Sequence, residues 1–212
     1  TRVNSSEIMT FEDNELTDAE CSVDNSNWTN CVSNTTTFSS LTGWDSINDG
    51  DSFTLYLRDT DVAGNIGTDS ESGIIKDLTV PTISSVTSDH ADGSFKADEV
   101  IDIDVNFSEN VTSTGDVTVT LETGTTDRTC TFTVSNSNSG TCNYTVQSGD
   151  ESSDLNVKSI SGTIKDQAEN AMENFVPVSN LADNKAIVVD AASPDISSFS
   201  SATSNGIYGP SS

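Results

Sequence analysis

Pro81-Thr82-Ile83-Ser84-Ser85-Val86-Thr87-Ser88, followed by Asp92-Gly93-Ser94-Phe95, returns as Pro194-Asp195-Ile196-Ser197-Ser198-Phe199-Ser200-Ser201, followed by Asn205-Gly206-Ile207-Tyr208. Proline, isoleucine, the Ser-Ser pair, glycine and an aromatic recur 113 residues on, from Pro81 to Pro194, without a gap. A repeat of that length is a repeated domain, not a solenoid turn. Each copy reads as a linker proline leading into a first strand.

Outward from this echo, the alternation is that of strands. Ile101-Asp102-Ile103-Asp104-Val105-Asn106-Phe107 sends Ile101, Ile103, Val105 and Phe107 to one face and Asp102, Asp104 and Asn106 to the other. Val117, Val119 and Leu121 make the next inward row. Phe53, Leu55 and Leu57 do the same earlier in the chain. No long stretch has helical periodicity. At 212 residues the length suits one to two domains. Only 33% of the residues are hydrophobic, which suffices for sandwiches whose strands bury every second side chain.

Charge excludes one class of partner. There are 34 acids against 8 bases, a net charge of -26. Nucleic-acid binding needs clustered Lys and Arg, so it is set aside. So dense a supply of carboxylates suits either a solvated, self-repelling surface or Ca²⁺, which takes carboxylate and carbonyl oxygens.

The four cysteines fall as two local pairs, Cys21/Cys31 and Cys130/Cys142. Neither has CxxC spacing and His90 lies far from both, which argues against zinc. Symmetric pairing about Ser26 sets Cys21 opposite Cys31 in one hairpin. Pairing about Asn136 opposes Cys130 and Cys142, with Phe132 and Tyr144 on the same face, and predicts a cross-strand disulfide on the core side. Disulfides imply an oxidising, extracellular compartment. No signal peptide or membrane span is visible, as expected of a mature or excised segment. N-x-S/T sequons begin at Asn4, Asn27, Asn34, Asn106, Asn110 and Asn143.

The Cys21-Ser22-Val23-Asp24 hairpin with its second Cys31, then an alternating strand, then Asp61-Val62-Ala63-Gly64-Asn65, resembles bacterial Ig-like repeats. Those carry a "CSLDG…C" hairpin and a strand ending "D-x-A-G-N"; Pro81 matches the "P-x-I" that opens the next repeat. The following unit resembles another such repeat. It has "F-S-E-x-V" at Phe107 to Val111, "Y-T-V-x-x-G-D" at Tyr144 to Asp150, and "D-x-A-x-N" at Asp166 to Asn170, with Glu169 where glycine is usual. The resemblance implies an all-β chain of two tandem Ig-like antiparallel β-sandwiches (Greek key) plus a C-terminal extra strand. Residues 1–80 would be a sandwich lacking its own first strand, 81–192 a complete one, and 193–212 the first strand of a next repeat or a donor strand for a neighbour. In the last case Ile196, Phe199, Ile207 and Tyr208 would complete another copy's first unit, a heterologous contact that builds a fibre. Thr37 to Leu41 and Glu7 to Phe11 read as further short strands.

In an Ig-like topology the loops carrying Glu109 and Asp166 to Asn170 lie beside the linker carrying Asp77. The expected metal ligands are therefore Asp77, Glu109, Asp166 and Asn170 at the joint, with Asp59, Asp61 and Asn65 at the free end of unit one, and the ion Ca²⁺. Glu169 would add a carboxylate or abolish the turn. The competing reading is that Asp and Asn of the motif fix their own loop by side-chain to backbone hydrogen bonds.

Catalysis finds no constellation. His90 lies in a polar loop without a nucleophile motif, Asp102 and Asp104 face solvent, and no Gly-rich phosphate loop or HExxH occurs. The expectation is a non-enzymatic, extracellular, structural or adhesive surface segment, a stalk or fibre. Its partners would be copies of itself head-to-tail, flanking repeats, or a glycan or host-surface ligand, with no nucleic acid and no membrane insertion. The alternatives are a carbohydrate-binding module, with Trp28, Trp44 or Tyr56 as an exposed platform, and an accessory domain of a secreted enzyme.

Overall fold

In the computed structural model the described residues are 1–12, 18–200, 202, 206 and 209. The chain is all-β. Its first part holds β1 (Arg2–Val3), β2 (Glu20–Ser22), β3 (Thr29–Asn30), β4 (Ser52–Thr60) and β5 (Ile66–Lys76), in one sheet ordered β1-β5-β4-β2-β3. β4 and β5 form its antiparallel centre, with Phe53 opposite Ile74 and Leu57 opposite Asp69. β1 lies parallel to the end of β5, Arg2 against Ile75 and Val3 against Lys76, where the sequence reading expected no first strand.

The layer facing this sheet is made of tight turns. Phe38–Ser40 and Trp44–Ser46 are 3₁₀ turns, where Thr37 to Leu41 had been expected to be a strand. Phe38, Leu41 and Trp44 are all buried, in one cluster with Phe53 and Ile74. The Phe38, Trp44 and Phe53 rings meet pairwise with centroids 5.7 to 6.0 Å apart. Glu7 to Phe11 does not form a strand either. It holds one bridge, Ile8 to Thr37, and backbone bonds from Met9 N to Thr36 O and from Asn34 N to Met9 O.

The second part is organised on β8 (Val100–Ser113), which follows β6 (Ile83–Thr87) and β7 (Gly93–Phe95). Then come β9 (Val117–Leu121), β10 (Arg128–Phe132), β11 (Ser137–Thr145), β12 (Glu151–Ser152), β13 (Val157–Ser161), β14 (Ile164–Asp166), a short helix α1 (Leu181–Asn184) and β15 (Ile187–Asp190). β11 pairs along one side of β8; β6 and β14 share the other side in succession. β10-β9-β13 and β12-β15-β7 form the facing sheets. The chain thus leaves β8 after β6 and joins β15 as β7, in parallel, the same relation that β1 has to β5. Ile101, Ile103 and Val105 are fully buried, so the alternation read from the sequence is the core. This core and that of residues 3 to 74 are separate clusters.

Both disulfides form, but neither has the expected register. In the first hairpin Cys21 pairs with Thr29, two residues short of Cys31. The turn centres on Asn25, whose φ of 58° is stabilised by the Asp24 carboxylate accepting from the amides of Ser26 and Asn27. Cys130 and Cys142 are not cross-strand partners in a hairpin. β10 pairs with β9 and β11 with β8, so this bond ties one sheet to the other. The chain crosses between the sheets over residues 133–136, and within β11 Gly140 lies so close to the buried Phe132 ring that a Cβ there would clash with it.

A buried ion pair braces the same region. Asp150, 1% exposed, accepts from Arg128 Nε (2.9 Å) and Tyr144 Oη (2.7 Å), and from the Gln147 amide (3.0 Å). Burial pushes the Asp150 carboxyl up, but these donors outweigh it and hold it below the ordinary range; burial and Asp150 together push the Tyr144 hydroxyl up. The Tyr144 to Asp150 motif is thus a clasp between β10, β11 and the turn before β12. No helix among the described residues is long and apolar enough to cross a membrane.

Two outcomes follow from this packing. Gly140→Ala forces the Phe132 ring from its site and should cost about 1–3 kcal/mol in denaturant unfolding. Asp150→Asn leaves Arg128 without its counter-charge and should cost about 3 kcal/mol at neutral pH. Because the folded carboxyl is depressed, its contribution is present above the unfolded value and fades as pH falls through the folded one. Wild type and Asp150→Asn should therefore converge in stability as pH falls below the ordinary carboxylate range.

Candidate metal centre

The end of β5, the far half of β8 and the end of β14 converge. Asp77 follows β5 directly; Asp166 closes β14 and pairs with Val111 of β8, two residues beyond Glu109. One carboxylate oxygen from each of Asp77, Glu109 and Asp166 lies within 4.8 Å of the others. Asp77 and Asp166 are buried and Glu109 is half-buried. Burial, then the Asp166 and Asp77 charges, push the Glu109 carboxyl above its ordinary range. Arg2 Nη1 sits 2.7 Å from Asp77 Oδ2 and balances part of this charge.

The loop after β14 explains how these groups are held. Asp166 Oδ1 accepts from the amides of Ala168 (2.8 Å) and Asn170 (2.9 Å), and Oδ2 accepts from Asn170 Nδ2 (2.8 Å). Asn170 Nδ2 also donates to the Asp77 carbonyl at 2.9 Å, so the loop is stitched to the linker. Through its Nδ2, Asn170 braces the loop beside the acids. Asn4 adds a further stitch: it is 7% exposed and its Nδ2 donates to the Ala168 carbonyl. A glycan on this sequon would have to displace that contact. Asp49 closes the linker by accepting from the Leu78 amide and the Thr79 hydroxyl, which hold its carboxyl below the usual range.

At the free end the loop bonds recur without the cluster. Asp61 Oδ1 accepts from the Ala63 and Asn65 amides and Oδ2 from Asn65 Nδ2. Asp61 and Asn65 are exposed, and Asp59 accepts from the Asp18 amide. Among the described residues Asp59 and Asp61 belong to no group of acids with metal spacing. Glu169 does not abolish its turn. It takes φ 64° where Gly64 has 88°, and its carboxylate turns to Lys165 Nζ, 2.8 Å away, rather than to the cluster.

A second acidic group, Asp89, Asp102 and Asp104, was not anticipated as a cluster. Asp102 accepts from the Asp89 amide and the Ser88 hydroxyl and meets His90 Nδ1. Ser88 is buried and its Oγ accepts from the His90 amide, so Ser88, His90 and Asp102 staple a loop. Asp104 accepts from the Thr141 hydroxyl, and burial pushes its carboxyl up. Both acids are half-buried, not fully solvated as their strand face suggested.

The rings offer no row of exposed faces. Trp44 is buried under Lys76, whose Nζ donates to the Trp44 and Ile47 carbonyls. Trp28 lies beneath the Arg58 guanidinium, 4.1 Å from its centroid, and Tyr56 is half-buried. In the tail, Ile196 and Phe199 are 85% and 95% exposed and no strand forms over residues 191–200. Ile207 and Tyr208 lie outside the described residues.

No family model matches the chain, and no curated protein is similar to it in sequence. Among the solved structures that are similar, two are of bacterial ice-binding adhesins. One is described as a "Ca2+-stabilized adhesin" that "helps an Antarctic bacterium reach out and bind ice", at 18% identity and a TM-score of 0.34, over 90% of this chain and 46% of that one. The other concerns "host cell surface retention of a 1.5-MDa bacterial ice-binding adhesin", at 19% identity and a TM-score of 0.37, over 90% of this chain and 61% of that one. The chain thus spans about half to three-fifths of the length of either.

Proposed function

We propose that this chain is a structural, non-enzymatic segment of an extracellular adhesive surface protein. It acts as a stiff spacer of two tandem Ig-like units, 1–80 and 81–192, whose joint is set by a divalent cation. The observation that carries this reading is the convergence of Asp77, Glu109 and Asp166, supplied by the linker and by two strands of the second unit. Hard oxygen donors in that density suit Ca²⁺, with the remaining ligands drawn from carbonyls or water. The Asn4–Ala168 and Asn170–Asp77 bonds support the same reading, since they tie the first unit and the linker to the motif loop. Two disulfides fit an oxidising surroundings.

The finer form, head-to-tail donation of residues 193–212 into the first unit of a neighbour, draws support from the exposed Ile196 and Phe199. It meets resistance at β5, where β1 already occupies Ile75 and Lys76. The same exposure suits a first strand awaiting the rest of its own repeat.

Calcium titration with a thermal melt tests the main reading. Sites in extracellular modules have dissociation constants on the order of 0.1–1 mM. At 100 times that constant the folded state gains about 2.7 kcal/mol, seen as a raised Tm that chelator reverses. Glu109→Gln should remove most of the gain, and small-angle scattering should show the wild-type joint stiffening with calcium. An unchanged Tm and unchanged scattering up to about 10 mM calcium would overturn the metal-set joint.

A further inference from the structure

The first unit carries a groove that the joint does not explain. It opens between residues 7–12 and the inner face of β4 and β5, with a volume of about 490 Å³. Its floor is apolar: Met9, Phe38, Leu55, Leu57 and Ile74. Leu55 and Leu57 stay half-buried because the facing layer is turns and not a sheet.

Its rim is anionic on both sides. Asp69 and Glu71 pair across the ladder with Leu57 and Leu55, so they share the inward face with those leucines. Glu7 and Glu12 line the opposite wall. No lysine, arginine or histidine is among the described residues that line it. Glu7 Oε2 is buried with no hydrogen-bond partner among the described residues. An orphaned buried acceptor of this kind costs free energy until a donor arrives. From Ile66 to Gly73 no described strand pairs the side of β5 away from β4; the Ser70 amide donates to Asp69 Oδ1 at 2.8 Å, a bond that an added strand would replace.

We propose that this groove receives an extended segment of a partner protein, with basic residues two apart, which adds itself to the free edge of β5 as a new strand. Alternate residues of a strand are about 6.7 Å apart on one face. Two lysines or arginines at i and i+2 then stand opposite Asp69 and Glu71, between the two acidic walls. Their aliphatic stems lie over Leu55 and Leu57 while their charged ends reach the rim and Glu7. Backbone bonds to β5 supply affinity and the charge pairs supply specificity. The tail of a second copy fits less well, because residues 193–212 hold Asp195 and no base.

The probe is a synthetic acetyl-Thr-Lys-Thr-Lys-Thr-amide, titrated into the isotopically labelled chain and followed by amide shifts and exchange. Shifts and new protection should concentrate on Ile66 to Gly73. Replacing both lysines of the peptide by glutamate, or combining Asp69→Asn with Glu71→Gln, should weaken binding about tenfold or more. Three results would overturn the proposal: shifts scattered over the whole acidic surface; equal or no binding of the two peptides; or protection of the same amides that grows with protein concentration alone, which assigns the groove to a second copy. If inward acids serve only to guard an edge strand, neither peptide binds.

Discussion

β8 is the constraint on which the larger half of the molecule depends. One fourteen-residue strand carries β11 along one side and β6, then β14, along the other. Its inward row of Ile101, Ile103, Val105 and Phe107 is the centre of the core, and every other strand is placed by reference to it. In a chain with so few apolar residues, a single unbroken alternation concentrates burial where it nucleates two layers at once. Its far end also carries Glu109, so the strand that organises the core also presents one member of the acidic joint. Core and joint are therefore mechanically one piece.

The acidic composition has a structural use that net charge conceals. Asp24, Asp49, Asp61, Asp102 and Asp166 each accept backbone amides that no strand partner satisfies. Short loops between short strands leave such donors everywhere, and an aspartate is an economical acceptor, two to four residues away for Asp24, Asp61 and Asp166 and across the fold for Asp49 and Asp102. The two D-x-A-x-N loops make the point most clearly, since their internal bonds are alike although one lies by a cluster of carboxylates and the other lies in water. The motif fixes a loop; position along the fold decides whether that loop serves a site.

Strand periodicity was legible wherever tertiary context did not compete with it: β4, β8 and β9 lie where alternation put them. The convergence of Asp77, Glu109 and Asp166 was also legible, because it follows from chain topology once the strands are ordered. Registers were not. The first hairpin turns on Asn25 because the Asp24 side chain reorganises the turn, and symmetry of the cysteines carries no information about that. Cys130 and Cys142 are near in sequence in the way hairpin partners are, yet their strands chose different neighbours. Phe38–Ser40 and Trp44–Ser46 are single 3₁₀ turns, too short to leave a periodicity that stands out from the β-rich surroundings. Glu169 shows a different limit: a non-glycine residue held the left-handed turn because the Asp166 bonds outweigh its strain.

The bond between Cys130 and Cys142 changes what happens when the chain is pulled along its length. Residues inside the covalent loop, a separation of 12 positions, are shielded from the load, which passes through the sulfurs instead. The extended contour of the second unit is then shorter by about 40 Å, at roughly 3.4 Å for each residue bypassed. The shielded stretch includes the crossing from one sheet to the other, so the two layers stay linked when the rest of the unit has come apart. A surface tether made of such units would yield in a limited step and keep a folded remnant from which to recover.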